Sequence, residues 1–296
     1  MNVLISGATG LIGSALVPEL EADGHTVTRL SRSQAGANIV RWDPSAGTID
    51  GDLGGTEAVV HLAGESIAQG RWNPDKKRRI LDSRVRGTRL LAESIAALPA
   101  PPKVMVSASA VGYYGDRGDE VLTEESAPGA DFLARVCREW EAAAEPARRA
   151  GIRVVHPRLG IVLSPQGGAL GTTLPIFKLG GGGKIGSGRQ WWSWVALDDV
   201  VGSIVHALTD EGVEGPVNVG SPNPMTNAQY TKVLGEVLGR PTVLPLPAPA
   251  ARIMLGEVAD ALLLASQRLR PARLEATGYA FRYPRLEETL RHLLGR

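Results

Sequence analysis

Seven residues constrain this chain more than any others. Gly7-Ala8-Thr9-Gly10-Leu11-Ile12-Gly13 stands between the apolar run Val3-Leu4-Ile5 and a helical pattern over residues 11–23. Glycines spaced G-x-x-G-x-x-G between a strand and a helix meet three separate needs. The first permits a tight turn, the second lets a pyrophosphate approach the backbone, and the third lets helix and strand pack closely. The helix N-terminus adds partial positive charge toward the same anion. A plain strand-to-helix turn is the competing reading, and the position directly after an N-terminal strand disfavours it.

The first half continues as such a turn requires. Strands are predicted at 26–30, 39–42, 58–62, 104–107 and 152–159, with helices over about 74–98 and 131–150. Strands separated by helices imply right-handed crossovers and a parallel, doubly wound sheet. Pro18 is a misfit expected to kink the first helix. After about residue 164 the texture changes. The glycine-rich stretch 167–188 is expected to form a flexible loop over a substrate cleft, and Trp191-Trp192-Ser193-Trp194 follows it. Asp198-Asp199 opens a helix to about Leu208, Val217-Asn218-Val219 reads as a last core strand, and an apolar helix is expected around Ile253 to Ala265. The predicted division is a dinucleotide-binding domain over 1–165, with 194–220 returning to it, and a smaller substrate lobe from 166–193 and 221–296.

Charge and cysteine content narrow the function. Across 296 residues, 32 basic and 31 acidic side chains leave a net charge of +1, which offers no field for nucleic acid or an anionic membrane. The single cysteine, Cys137, excludes an internal disulfide framework and a multi-cysteine metal site, and five scattered histidines give no metal-ligand spacing. No apolar run approaches the ~18–20 residues of a membrane span. Met1 leads straight into an apolar strand without a basic leader, so no signal peptide is expected. These readings predict a soluble, cytoplasmic protein with a small-molecule substrate and no metal. The oligomeric state is left open, a homodimer included.

The end of the second strand decides the cofactor. NAD sites place Asp or Glu there for the ribose hydroxyls; this chain has Ser31 and then Arg32. Serine hydrogen-bonds a 2′-phosphate and arginine pairs with it, whereas a carboxylate would repel it, so NADP(H) is predicted. The competing reading of Arg32 is a solvated surface arginine.

Together, Gly7–Gly13, His61-Leu62-Ala63-Gly64 and the segment from Ser107 to Gly115 resemble extended short-chain dehydrogenases/reductases. The closer resemblance is to their atypical "epimerase family protein" subgroup, whose marks stand here as Gly64-Glu65-Ser66-Ile67, Arg71-Trp72, Ser83-Arg84, Cys137-Arg138-Glu139-Trp140-Glu141 and Asn218-Val219-Gly220-Ser221. A C-terminal domain of unassigned function, about 246–294, completes it. The resemblance implies an α/β fold: a Rossmann-type doubly wound parallel sheet with a smaller C-terminal substrate lobe. It also implies cofactor contacts from the turn (Gly7, Thr9, Gly10, Leu11, Ile12, Gly13), Ser31, Arg32, Leu62, Ala63, Gly64, Glu65, Arg84, Ser107 and Arg158. Trp42 and Asp43, at the third strand's end, are expected near the adenine.

Family chemistry uses a serine, a tyrosine and a lysine, the last two four residues apart on one helix face. Ser109 matches the serine. Aligning Glu141 with the usual downstream acid puts Leu133 and Cys137 at the other two positions, and no Tyr-x-x-x-Lys occurs in the chain. Tyr113 and Tyr114 are the candidate replacements as proton donors. Lys77, Arg189, Gln190 and Trp194 are the candidate substrate contacts. Three functions follow: an NADP(H)-dependent oxidoreductase on a small substrate, which is favoured; a nucleotide-sugar epimerase or dehydratase; or a non-catalytic NADP(H)-binding sensor or scaffold.

Overall fold

The computed structural model describes residues 1–33 and 36–296. Its centre is a nine-stranded sheet. In chain order the strands are β1 (Asn2–Ser6), β2 (Thr26–Ser31), β3 (Ile39–Asp43), β4 (Thr48–Asp50), β5 (Ala58–His61), β6 (Val104–Ser107), β7 (Ser109–Ala110), β9 (Arg153–Leu159) and β13 (Gly215–Val219). They lie in the order β13-β9-β6-β5-β1-β2-β3-β4, with β7 beside the end of β9, and only β4 runs antiparallel. The order reverses beside β1, as a doubly wound Rossmann-type sheet requires, and the C-terminal strand ends there form the ligand crevice.

Alternation along the strands builds two cores. Val3, Ile5, Val60, Val104 and Val106 face α1 (Leu11–Ala22) and α6 (Leu197–Thr209), while Leu4, Val59, Met105 and Val154 face α2 (Pro74–Ala96) and α4 (Glu145–Arg149). The latter face also carries α3 (Phe132–Ala142), packed on α2. α1 continues through Pro18. The helix expected over 131–150 is instead two, α3 and α4. Pro146 occupies the first turn of α4, where its missing N–H costs nothing, and its ring would clash with the carbonyl four residues back in one continuous helix.

A third core belongs to the smaller lobe. Leu170, Leu174 and Phe177 of α5 (Gly168–Lys178) pack with Trp192 and Trp194, with Tyr230 and Leu234 of α7 (Asn227–Leu238), and with Leu286 and Leu290 of α10 (Leu286–Leu294). The first half of the glycine-rich stretch is therefore a packed helix where a flexible loop was expected, because its Leu and Phe spacing buries one face, and the glycine run at 180–188 is non-helical. Three two-stranded pairs complete the fold: β8 (Val121–Leu122) with β15 (Arg268–Leu269), β10 (Ile161–Ser164) with β12 (Trp194–Ala196), and β11 (Trp191–Trp192) with β14 (Met225–Thr226). The apolar helix expected at 253–265 divides at Gly256, φ +64°, which ends α8 (Ala248–Leu255) before a π-helical turn over Ala259–Leu264. Past α9 (Ala272–Ala276) the chain returns to the sheet: Leu274 is buried with α6 and β13, and Tyr279 and Phe281 pack on the same core.

Asp199 ties that return to α6. It is buried, accepts the backbone N–H of Arg282 at 2.7 Å and of Tyr283 at 3.0 Å, and receives the Tyr279 hydroxyl at 3.2 Å. Hydrogen bonds to a buried charge contribute about 1.5–3 kcal/mol each. Asp199→Ala is therefore expected to lower unfolding free energy by about 2–4 kcal/mol, read as a lower urea midpoint at unchanged slope.

Candidate functional site

The crevice begins at the glycine turn. Gly7 has φ +76°, and a Cβ there would lie 2.8 Å from the backbone of Leu62 and Ala63. A Cβ on Gly13 would lie 2.7 Å from the Ala8 Cα. Both positions therefore admit only glycine, one for its turn and one for helix–strand approach. The Gly10 N–H donates to the Gly7 carbonyl at 3.0 Å, and among the described residues no side chain caps the α1 N-terminus. Thr9 and Gly10 are exposed, while Leu11 and Ile12 are half-buried. A dinucleotide's pyrophosphate fits this cradle.

At the end of β2, Ser31 is half-buried and Arg32 exposed, close enough to Glu65 to act on it electrostatically. Across β1, Leu62, Ala63, Gly64 and Glu65 leave β5 along the same crevice edge. The Glu65 carboxylate accepts from Lys76 Nζ at 2.7 Å, which holds it below the usual carboxylate range, and its N–H donates to Ser83 Oγ at 3.0 Å. Arg84, on α2, donates to the carbonyls of Glu65 at 3.0 Å and Ile80 at 3.2 Å. Its guanidinium lies 4.9 Å from the Trp140 ring centroid. Ser107 is fully buried, and its hydroxyl has no hydrogen-bond partner among the described residues.

Beyond β6 lies a tightly bonded cluster. Ser109 Oγ donates to Glu141 Oε1 at 2.6 Å. Arg158 grips both oxygens of Glu141 at 2.9 Å each. Its remaining edge donates to the Tyr114 hydroxyl at 2.9 Å and the Glu124 carbonyl at 3.2 Å. Tyr114 in turn donates to Asn218 Oδ1 at 2.6 Å. Burial pushes its phenol up to about 12, against the opposing pull of Arg158. Tyr113 is only half-buried, and the Arg158 guanidinium lies 3.4 Å from its ring centroid.

The positions that would carry the family's tyrosine and lysine are filled with packing. Leu133 is buried against Gly112, where a Cβ would come within 3.1 Å of it. The Cys137 thiol is buried, 3.7 Å from the Ala110 carbonyl, and burial pushes it up to about 12, so it stays neutral.

Several of the candidate residues bond within the protein. Arg158, expected to contact the cofactor, and Tyr114, a candidate proton donor, are buried in the bonded cluster; their partners come from chain more than 15 residues away. Trp42 is buried edge-on to His61, 5.9 Å between centroids, and Asp43 Oδ1 accepts the N–H groups of Ser45 and Ala46 in a turn. Gln190 is buried and donates to the carbonyls of Ile185 and Leu263, and Trp194 is fully buried and donates to the Asn223 carbonyl. Arg189 is exposed. Lys77 pairs with Glu257 and lies 5.0 Å from the Phe132 ring centroid, bridging α2 to the C-terminal region. Glu141, Asn218, Glu124 and Lys76 were not anticipated as members of the site. The Glu141 signal was its spacing, eight residues past Leu133 and four past Cys137 on one helix face.

With that geometry in place, the comparisons are consistent. The model of the NAD dependent epimerase/dehydratase family matches residues 3–220, and that of a domain of unknown function matches 246–293. The chain is 43% identical to "Epimerase family protein MT2273" of Mycobacterium tuberculosis, over 97% of this chain and 96% of the relative. It is 39% identical to "Epimerase family protein SDR39U1" of Homo sapiens, over 99% of this chain and 100% of the relative. A crystal structure of that human protein with NADPH superposes at a TM-score of 0.93, with 37% identity and complete coverage of both chains.

Beneath the site, burial lowers His61 and His156 to about 4, and the Nε2 of each has no partner among the described residues. The unfolded chain binds these protons near 6.5, whereas the folded protein binds them only near 4. Stability should thus fall as pH drops from about 6.5 toward 4, by roughly 3 kcal/mol per histidine. Urea unfolding of the wild type across that window, compared with His156→Gln, checks this; an equal loss in both would refute it for His156.

Proposed function

The chain belongs to the NAD dependent epimerase/dehydratase family, and from that premise we propose that it is an NADP(H)-dependent oxidoreductase of the extended short-chain dehydrogenase/reductase type, acting on a small molecule. The observation that carries the reading is the cradle: two glycines that no other residue can replace, with serine and arginine at the end of β2. That NADPH occupies the human relative, matched over the full length of both chains, supports the same cofactor here.

In this reading the Gly7–Gly13 turn and the α1 N-terminus bind the pyrophosphate, and Ser31 and Arg32 bind the 2′-phosphate. The cofactor, when bound, supplies or accepts hydride. Ser109 gives its one proton to Glu141, so toward a substrate it presents only lone pairs and accepts from a donor such as a hydroxyl. Tyr113 is the phenol left to exchange a proton with the substrate oxygen, since Tyr114 is enclosed between Arg158 and Asn218. A 4-epimerase lacking the Tyr-x-x-x-Lys pair has no equivalent base at Leu133 or Cys137, and this weighs against the sugar-epimerase alternative.

Two experiments test the reading. Arg32→Ala should reduce the preference for NADPH over NADH by about ten- to a hundredfold, the worth of a charge-assisted phosphate contact; an unchanged preference removes Arg32 from the account. Deuteride transfer from C4-labelled NADPH, both stereoisomers, into a cell metabolite extract should label one product by mass spectrometry. The label should vanish with Ser109→Ala and fall steeply with Tyr113→Phe. No label despite tight NADPH binding would overturn the oxidoreductase and leave a cofactor-binding protein.

A further inference from the structure

Arg84 occupies a place in the crevice that its helix alone does not explain. Its guanidinium is half-buried and bonded to two backbone carbonyls, and among the described residues it forms no ion pair. The neighbouring anion, Glu65, is paired directly with Lys76 at 2.7 Å and acts on Arg84 only from a distance. Behind Arg84, the Trp140 ring closes one side of the guanidinium. In front stands Gly64, exposed, where a Cβ would lie 3.3 Å from the Arg84 Cζ. A side chain at 64 would crowd that charge from the crevice edge, and glycine leaves it open.

The fold fixes what lies on that edge. With the pyrophosphate on the turn after β1 and the 2′-phosphate at the end of β2, the other half of a dinucleotide extends across the ends of β5 and β6, past Gly64 toward Ser107 and Ser109. On this side Arg84 also acts electrostatically on Cys137, a neutral side chain that supplies no cation. On this side it is α2 that brings a cation to the crevice edge.

We propose that Arg84 is the cation facing the nicotinamide half of bound NADP(H), and that it makes this protein select the reduced, uncharged ring over the oxidised, positively charged one. The proposal rests on the cofactor reading above and adds a redox preference to it. A fixed charge several ångströms from the ring, in partly desolvated surroundings, is worth about tenfold between the two forms.

The test is calorimetric titration of the folded protein with three ligands: NADPH, NADP+, and 2′-phospho-ADP-ribose, which carries both phosphate groups and lacks the nicotinamide. The wild type should bind NADPH about tenfold more tightly than NADP+. Arg84→Lys should keep most of that ratio, and Arg84→Gln should bring it within about twofold while binding 2′-phospho-ADP-ribose as the wild type does. Equal weakening of all three ligands by Arg84→Gln would place Arg84 on the phosphates or in the fold and overturn the proposal. A wild-type ratio near or below one would overturn it whether or not the glutamine variant folds. Failure of the wild type to bind any of the three would instead refute the cofactor reading itself.

Discussion

The Arg158 guanidinium is the contact on which the geometry of the crevice depends. Its bonds join β9 to α3 through Glu141, to the 3-10 turn at Val111–Tyr114 through the Tyr114 hydroxyl, and to the loop after β8 through the Glu124 carbonyl. Asn218 extends the set to β13 and, by its side-chain amide, to the carbonyls of Leu122 and Arg270. A buried ion pair loses the hydration of both charges, and only good geometry with further hydrogen bonds offsets that loss. Here the pair is bidentate at 2.9 Å, every edge of the guanidinium is occupied, and a tyrosine ring covers one face. Removing either partner would leave a charge stranded in the core, so the site's position is fixed by the same contact that holds three segments together.

This dependence separates what sequence patterns reveal from what they conceal. Gly7 and Gly13 were legible because a tight turn and a helix start against a strand are signalled within seven residues, although the backbone that crowds Gly7 is that of distant Leu62 and Ala63. The sheet was legible because each strand's alternation sorts side chains onto two faces without reference to distant chain. The helix over 131–150 was misread because apolar spacing continues through Pro146, and the break lies in a backbone donor that spacing does not register.

Polar side chains in the site were harder, for a different reason. Arg158, Tyr114, Gln190 and Trp194 all carry groups suited to a ligand, and each finds its partner within the protein instead. Apart from Gln190 with Ile185, those partners lie 17 to 104 residues away along the chain, as with Arg158 and Glu141 or Tyr114 and Asn218. A residue type states what a side chain can bond; only the fold states what is within reach. The third core hid the function of the tryptophan run in the same way, since Trp192 and Trp194 face α7 and the small lobe's interior.

The face of α3 then has a coherent logic. Leu133 and Cys137 point toward the loop after β6, packed and uncharged, and Glu141 one turn further supports Ser109 and Arg158. A helix that in related sheets delivers reactive groups here delivers support, because a leucine and a neutral thiol can only pack. Beside Arg32 at the end of β2, the cations bordering the crevice come from α2, where Arg84 and Lys76 reach the Glu65 backbone and side chain. Approach from α2 places one cation beside Gly64, while the Arg158 guanidinium of β9 lies against the Tyr113 ring. The half-buried Tyr113 phenol and the Ser109–Glu141 pair are therefore both tied to Arg158, one by ring contact and the other through the shared Glu141 carboxylate, whereas Arg84 is held by hydrogen bonds to backbone carbonyls.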